Sequence, residues 1–266
     1  MAGENNKVVI VTGGSSGIGR CTASALKENG CIVYEFSRRN IPMEGVTHLS
    51  VDVTDEDAVN AAVQQVIQKE TKIDALINCA GFGISGAVEF TSMEQAKAQF
   101  DVNFFGTVTV NKTVLPFMRH QGKGHIVNIS SVAAVAHIPF QTFYSASKAA
   151  VSSYSYALAN EVKPYGIHVT VVELGDICTG FTKARQKSIL GDDEYGGRIS
   201  RSVSQMEHDE QNGMDSARIG RYIAGIVEKK DPAVVYVAGA QYKFLSLLCK
   251  LLPAAARGKI VGKIYG

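Results

Sequence analysis

Short β-branched runs alternate along this chain with longer stretches whose apolar residues recur at helical spacing. From the N-terminal side they read KVVIVT, GIGRCTASALKENG, CIVYEFS, THLSVDV, EDAVNAAVQQVIQKE and IDALINCAG. Strand, helix and strand in that order form the unit of a parallel sheet, joined by a right-handed crossover. The rhythm continues through a helical stretch around 100–119, the strand HIVNISS, a helix from about Tyr144 to Lys163 and the strand IHVTVVEL. It closes on the helical SARIGRYIAGIVEKK and the strand VVYVAG. Asn29 with Gly30, and Gly166 after Pro164, are the residue types that end a helix and turn the chain back into the sheet. The pattern predicts an α/β fold: a doubly wound parallel sheet of about seven strands flanked by helices, in one domain over 1–266 without repeats or linkers.

Two segments depart from the rhythm. Residues 180–218 mix charged, polar and glycine positions without clear periodicity, which reads either as a cover over a site or as a solvated insertion. Near 241–252, QYKFLSLLCKLLP carries Phe244, Leu245, Leu247, Leu248, Leu251 and Leu252 at helical spacing beside Lys243 and Lys250. An amphipathic basic helix of this kind fits the surface of an anionic membrane, the mouth of the chain's own cleft, or a partner subunit.

Composition narrows the classes. Hydrophobic residues make up 45% and charged residues 20%, the formal charge is +2, and no apolar run is long enough for a bilayer. A soluble cytoplasmic protein is expected, with no electrostatic case for nucleic acid. The N-terminal apolar run lacks the flanks of a signal peptide and reads as a first strand. The five cysteines are widely spaced in mostly apolar segments, the pattern of reduced core thiols rather than of disulfides or a metal site.

TGGSSGIG, Thr12 to Gly19, stands between the first strand and an alanine-rich helix. A turn this tight needs residues without Cβ, and it brings backbone N–H groups to a pyrophosphate at the helix N-terminus. Gly13, Gly17 and Gly19 are the spaced glycines, with Ser15, Ser16 and Ile18 between them in the same cradle. It is not a P-loop, because no Gly-Lys-Ser/Thr follows. At the end of the second strand, where an acidic residue would select NAD(H), the chain has Ser37, Arg38 and Arg39. A hydroxyl and guanidinium groups suit a 2′-phosphate, so NADP(H) is favoured over NAD(H) unless Glu35 turns toward the ribose.

With this turn in place, the chain resembles the short-chain dehydrogenase/reductase superfamily over nearly its whole length. The TGxxxGxG turn is Thr12 to Gly19, the family's Asn-Asn-Ala-Gly element appears as NCAG at Asn78 to Gly81, and the Asp-Val pair beside adenine is Asp52 and Val53. The YxxxK motif is Tyr144 to Lys148, the family serine thirteen residues earlier is Ser131, and the tetrad asparagine falls on Asn103. The resemblance implies a Rossmann-type NAD(P)-binding domain in which Asn78, Ala80 and Gly81 border the cofactor. It further implies that Gly175, Ile177 and Thr179 pass the nicotinamide, and that Asn103 holds a water of the proton relay. Leu174 replaces the proline that often precedes this glycine, and Cys79 replaces the second asparagine.

The chemistry assigns roles to these residues. Hydride transfer at a carbonyl carbon must be matched by a proton on oxygen, which Tyr144 supplies and Ser131 assists by donating to the same oxygen. Bringing a phenol from its ordinary pKa of about 10 to near neutrality takes about 4 kcal/mol, and Lys148 one turn away contributes positive charge to that end. Lys148 is also placed to hold the nicotinamide ribose. The stretch VAHIPFQTF predicts a hydrophobic substrate wall through Phe140, with His137 either bonding a distant polar group or standing plainly at the surface. The overall character is closest to the hydroxysteroid and retinol dehydrogenase branch. A hydroxysteroid dehydrogenase acting on a steroid or bile-acid-like alcohol/ketone pair is the first expectation, and a reductase of retinal or another lipid ketone is the second. A non-catalytic NADP(H) sensor is the reading from a different class. The resemblance also implies a homo-oligomer.

Overall fold

A computed structural model describes residues 6–266; residues 1–5, included in the N-terminal reading above, lie outside the described residues. The chain begins with β1 (Val8–Thr12), α1 (Gly17–Glu28), β2 (Ile32–Ser37), β3 (Val46–Ser50), α2 (Glu56–Glu70) and β4 (Ala75–Asn78). A short β5 (Ile84–Ser85), α3 (Met93–Phe100), α4 (Gly106–Gln121) and β6 (Gly124–Ser131) follow, then α5 (Ala133–Ala136) and α6 (Thr142–Val162). Next come β7 (Ile167–Leu174), β8 (Ile177–Cys178), α7 (Phe181–Ala184), β9 (Gln186–Lys187), α8 (Arg198–Gln211) and β10 (Met214–Asp215). The chain closes with α9 (Ser216–Val227), β11 (Val235–Val237), α10 (Ala240–Leu251) and α11 (Ala254–Tyr265).

Seven strands form one parallel sheet in the order β11-β7-β6-β4-β1-β2-β3. The interior strand β1 reads VVIVT and is buried throughout, because helices cover both faces of a parallel sheet. Val8 and Ile10 pack toward Val59, Val63, Val110 and Val114, while Val9 and Val11 pack toward Leu26, Ile219 and Ile223. Period-two alternation therefore splits one apolar strand between two cores. The strand order reverses beside β1, and the crevice at that switch point, beyond the C-terminal strand ends, is where such folds bind ligands.

The irregular stretch at 180–218 is built from real elements. Ile199, Val203 and Met206 of α8 pack with Ala87 and Phe140, while β9 and β10 pair with β5 and β8. It lies over the strand ends as a cover. The C-terminal region holds two helices where one was expected. The expected one, α10, is tied to the sheet by Glu173, which is wholly buried on β7. That carboxylate accepts from Ser246 Oγ at 2.6 Å and from Lys250 Nζ at 2.8 Å. Lys250 therefore serves the protein's own core. The second helix, α11, packs against α8 and α5 and puts Tyr265 within 3.0 Å of Asp209.

Candidate active site

A cavity of about 920 Å³ runs along the strand ends from the glycine turn to the C-terminal helices. At one end Gly13 adopts φ +67°, and a Cβ there would stand 2.9 Å from the backbone of Ala80. Gly19 comes so close to the turn that a Cβ would meet the Gly13 carbonyl oxygen at 2.4 Å. Helix α1 starts directly after Ser16, whose side chain makes no cap, so the first N–H groups of the helix are left for an external acceptor. Thr12 Oγ1 accepts from the N–H groups of Cys79 and Ala80 at 3.2 and 3.1 Å, which holds the second loop against the first. A Cβ-free cradle with unspent donors fits the pyrophosphate of a dinucleotide, and Ser15, Ser16, Gly17, Ile18, Val53, Ala80 and Gly81 all line the cavity.

At the adenosine end, Glu35 lies beneath Gly14 and pairs with His48, turned away from the ribose position. Ser37 Oγ lies 3.0 Å from the Arg39 carbonyl and 3.3 Å from Glu35. Ser37 lines the cavity here with its hydroxyl donating within the protein. The two guanidinium groups remain. Arg38 is 77% exposed and 3.9 Å from Asp52, and Arg39 reaches Ser16 Oγ at 3.5 Å.

The residues expected to carry the reaction meet along the cavity. Ser131 ends β6, the fifth strand of the main sheet in chain order, and hydrogen-bonds the Tyr144 hydroxyl while accepting from Ala133 N at 3.1 Å. Its neighbour Ser130 is committed to Ser152 and to the Lys148 carbonyl. Lys148 Nζ donates to Ile129 O at 2.9 Å and sits 5.8 Å from the centre of the Tyr144 ring. Burial pushes Tyr144 up to about 12, against the pull of the Ser131 hydrogen bond, and pushes Lys148 down to about 8. The phenol is thus held protonated by the protein alone, contrary to the lowered value expected from Lys148. A protonated phenol next to a hydroxyl is an acid ready to donate to a carbonyl oxygen.

Two residues expected at the site stand behind it. Asn103 is fully buried in a π-helical turn between α3 and α4, a geometry often found next to functional sites. Its side chain accepts from Phe82 N and donates to Phe82 O, each at 3.0 Å, and reaches Ser147 Oγ at 3.1 Å. It positions the Gly81–Phe82 loop and the helix bearing Tyr144, and does not line the cavity. Asn78, expected against the cofactor, donates instead to Asn111 and Asn128 at 2.7 and 2.9 Å, a buried polar tie between β4, α4 and β6. Gly175, Ile177 and Thr179 do line the cavity, as the loop leaving β7.

The substrate end differs from expectation. His137 is exposed, Phe140 packs into the core under α8, and neither lines the cavity. Both hold left-handed backbone, φ 55° and 57°, so the loop between Ser131 and Tyr144 turns these side chains away. Ile138 and Phe82 line the cavity as the apolar loops predict, joined by Gln141 and, from the cover, by Phe181, Ala184, Gln186 and Glu210. The C-terminal helices complete the wall with Tyr242, Leu245, Leu248, Leu252, Ile260 and Ile264. The signal available for this was the leucine-rich periodicity of 241–252; nothing comparable marked Asp176, Glu210 or α11.

The fold and these residues define an oxidoreductase of the nicotinamide-dependent type acting on CH–OH groups. The family model for short chain dehydrogenase matches residues 7–189, and the chain belongs to that family. It is 45% identical over 229 residues to a 3-ketodihydrosphingosine reductase of Bacteroides thetaiotaomicron, covering 85% of each chain. A short-chain dehydrogenase from Streptomyces avermitilis superposes with a TM-score of 0.85 at 28% identity, over 98% of both chains. The structure of ElxO with NADP bound superposes with a TM-score of 0.74 at 25% identity, over 90% of this chain and 99% of its own.

Proposed function

We propose that this protein is an NADPH-dependent reductase of a long-chain lipid ketone. The observation that carries this reading is the cavity itself, whose apolar walls continue from Tyr144 outward between α10 and α11. An acyl chain fills such a slot, with its carbonyl at Tyr144 and Ser131. The lipid ketone named in the Bacteroides relative supports it over the hydroxysteroid reading. Arg38 and Arg39 at the adenosine end, with Glu35 turned away, support NADP(H).

A nicotinamide held in this cavity would supply the hydride. Tyr144 gives its proton to the carbonyl oxygen as the carbon is reduced, so C=O becomes CH–OH, and Ser131 holds the oxygen in line. The Lys148 ammonium stabilises the resulting phenolate until it is reprotonated from solvent. Its N–H groups beyond the Ile129 bond suit the ribose hydroxyls.

The lipid's route in follows from the same wall. Phe244, Leu247 and Leu251 project from the outer side of α10 at 68%, 57% and 74% exposure, and Ile260 and Ile264 both line the cavity and reach the surface. With Lys259 and Lys263 exposed beside them, this rim suits contact with an anionic lipid surface. No helix among the described residues is long and apolar enough to cross a membrane.

The test is NADPH oxidation by the purified protein with matched long-chain, steroid and retinoid carbonyl substrates, repeated with NADH. Turnover confined to the long-chain ketone with NADPH is expected; turnover of steroid ketones alone refutes the lipid reading.

A further inference from the structure

One carboxylate in the reaction half of the cavity has no direct ion pair among the described residues. Asp176 follows Gly175 in the loop leaving β7 and lines the same cavity as Tyr144. Its Oδ2 accepts from the Tyr242 hydroxyl at 2.8 Å. No lysine, arginine or histidine among the described residues forms an ion pair with it. Arg185, two of whose guanidinium nitrogens have no hydrogen-bond partner, acts on Asp176 electrostatically without an ion pair to it, against the charges of Asp209 and Glu210. Glu210 is paired with Arg185 and accepts from Thr182 at 2.7 Å, while Asp209 accepts from Tyr265 and Gln205. Arg257, the cation on the far wall, donates to the Cys249 carbonyl at 3.1 Å. Burial raises the Asp176 carboxyl above its ordinary range, and its charge in turn bears on the Tyr144 phenol.

An ionised carboxylate facing apolar walls is costly unless a cation meets it, and one phenolic hydrogen bond does not replace that cation. The folded chain supplies the carboxylate and the surrounding apolar wall, with no direct ion pair to Asp176 among the described residues.

We propose that Asp176 anchors a cationic nitrogen on the substrate close to the carbonyl that Tyr144 protonates, so that the site takes a long-chain amino ketone in preference to a neutral ketone. This rests on the lipid-ketone reading and narrows it. The acyl chain and carbonyl then account for the apolar walls and Tyr144, and the ammonium accounts for Asp176. Asp176 is a specificity residue here, and the proton and hydride steps do not pass through it.

The experiment compares two long-chain ketones of equal length, one bearing an amino group on the carbon next to the carbonyl and one without it. The wild type, Asp176→Asn and Asp176→Glu are measured with each, together with the NADPH dissociation constant. Asparagine keeps an acceptor for Tyr242 and removes the charge; glutamate keeps the charge. The wild type prefers the amino ketone in kcat/KM, and Asp176→Asn lowers that preference by about 10-fold or more, mainly through KM, while Asp176→Glu retains most of it. An unchanged preference in Asp176→Asn overturns the inference. So does a loss of NADPH affinity as large as the loss of preference, which would make the nicotinamide the partner of Asp176. A wild type that reduces the neutral ketone equally well overturns this inference alone, whereas a wild type that reduces neither ketone overturns the reading beneath it.

Discussion

The Lys148 ammonium lies 5.8 Å from the centre of the Tyr144 ring, in a pocket where burial pushes the lysine down to about 8 and the tyrosine up to about 12. Activity and stability therefore pull in opposite directions at Lys148. Below pH 8 the folded protein carries a buried ammonium, and the cost relative to an ordinary lysine is about 3 kcal/mol. Because the folded pKa is depressed, the unfolded chain binds more protons between about 8 and the ordinary lysine value of 10.5, and stability rises with pH through that window. Lys148→Met is expected to abolish turnover and to raise the melting temperature at pH 7 by several degrees. The gap from wild type closes as the pH approaches 10, which thermal unfolding scans across that range measure directly.

Arg38 stands at the adenosine end with its side chain 77% exposed. Arg38→Ala is expected to weaken NADPH by about 10-fold to 100-fold, the value of one charge-assisted contact to phosphate, and to leave NADH within about 2-fold. Dissociation constants for the two cofactors give the comparison, and equal losses remove the basis for NADP(H).

Gly19 has no room for a side chain, because a Cβ would stand 2.4 Å from the Gly13 carbonyl oxygen. Gly19→Ala must displace the whole turn. Cofactor affinity should fall by about 10-fold or more, with a stability loss of about 1–3 kcal/mol, read by titration and by denaturant unfolding.

The outer face of α10 is apolar without packing on the protein. Replacing Phe244, Leu247 and Leu251 together by aspartate should leave the melting temperature within about 2 °C, since side chains this exposed contribute little to the fold. The same variant should lose flotation with vesicles containing anionic lipid. Unchanged flotation would remove the lipid surface from the account and leave this face to a second copy of the chain.

The sheet and the nucleotide half of the site were legible in the sequence because local backbone demands dictate them. Gly13 and Gly19 are glycine for steric reasons visible from spacing alone, and Tyr144 with Lys148 needs only one helical turn to come together. Where the sequence misled, tertiary geometry overrode proximity along the chain. Phe140 lies four residues before Tyr144, yet its left-handed backbone sends it into the core under α8. Asn78 belongs to a recognised element, but its amide nitrogen donates to Asn111 and Asn128. The substrate end was illegible for the complementary reason. Asp176, Glu210 and Tyr265 come from distant segments, and α11, with Gly258 and Gly262 interrupting a weak apolar stripe, carries little helical signal of its own.

The most direct test of the central claim follows the hydride and the proton together. Wild type and Tyr144→Phe are each incubated with a long-chain ketone and NADPH carrying deuterium at the transferable position of its nicotinamide, and the product is analysed by mass spectrometry. The wild type should give an alcohol with deuterium on the carbinol carbon. Tyr144→Phe should bind NADPH with similar affinity and form product about 10²-fold to 10⁴-fold more slowly, the usual worth of a positioned acid. Recovery of unreduced ketone from the wild type, or undiminished product from Tyr144→Phe, would contradict the account.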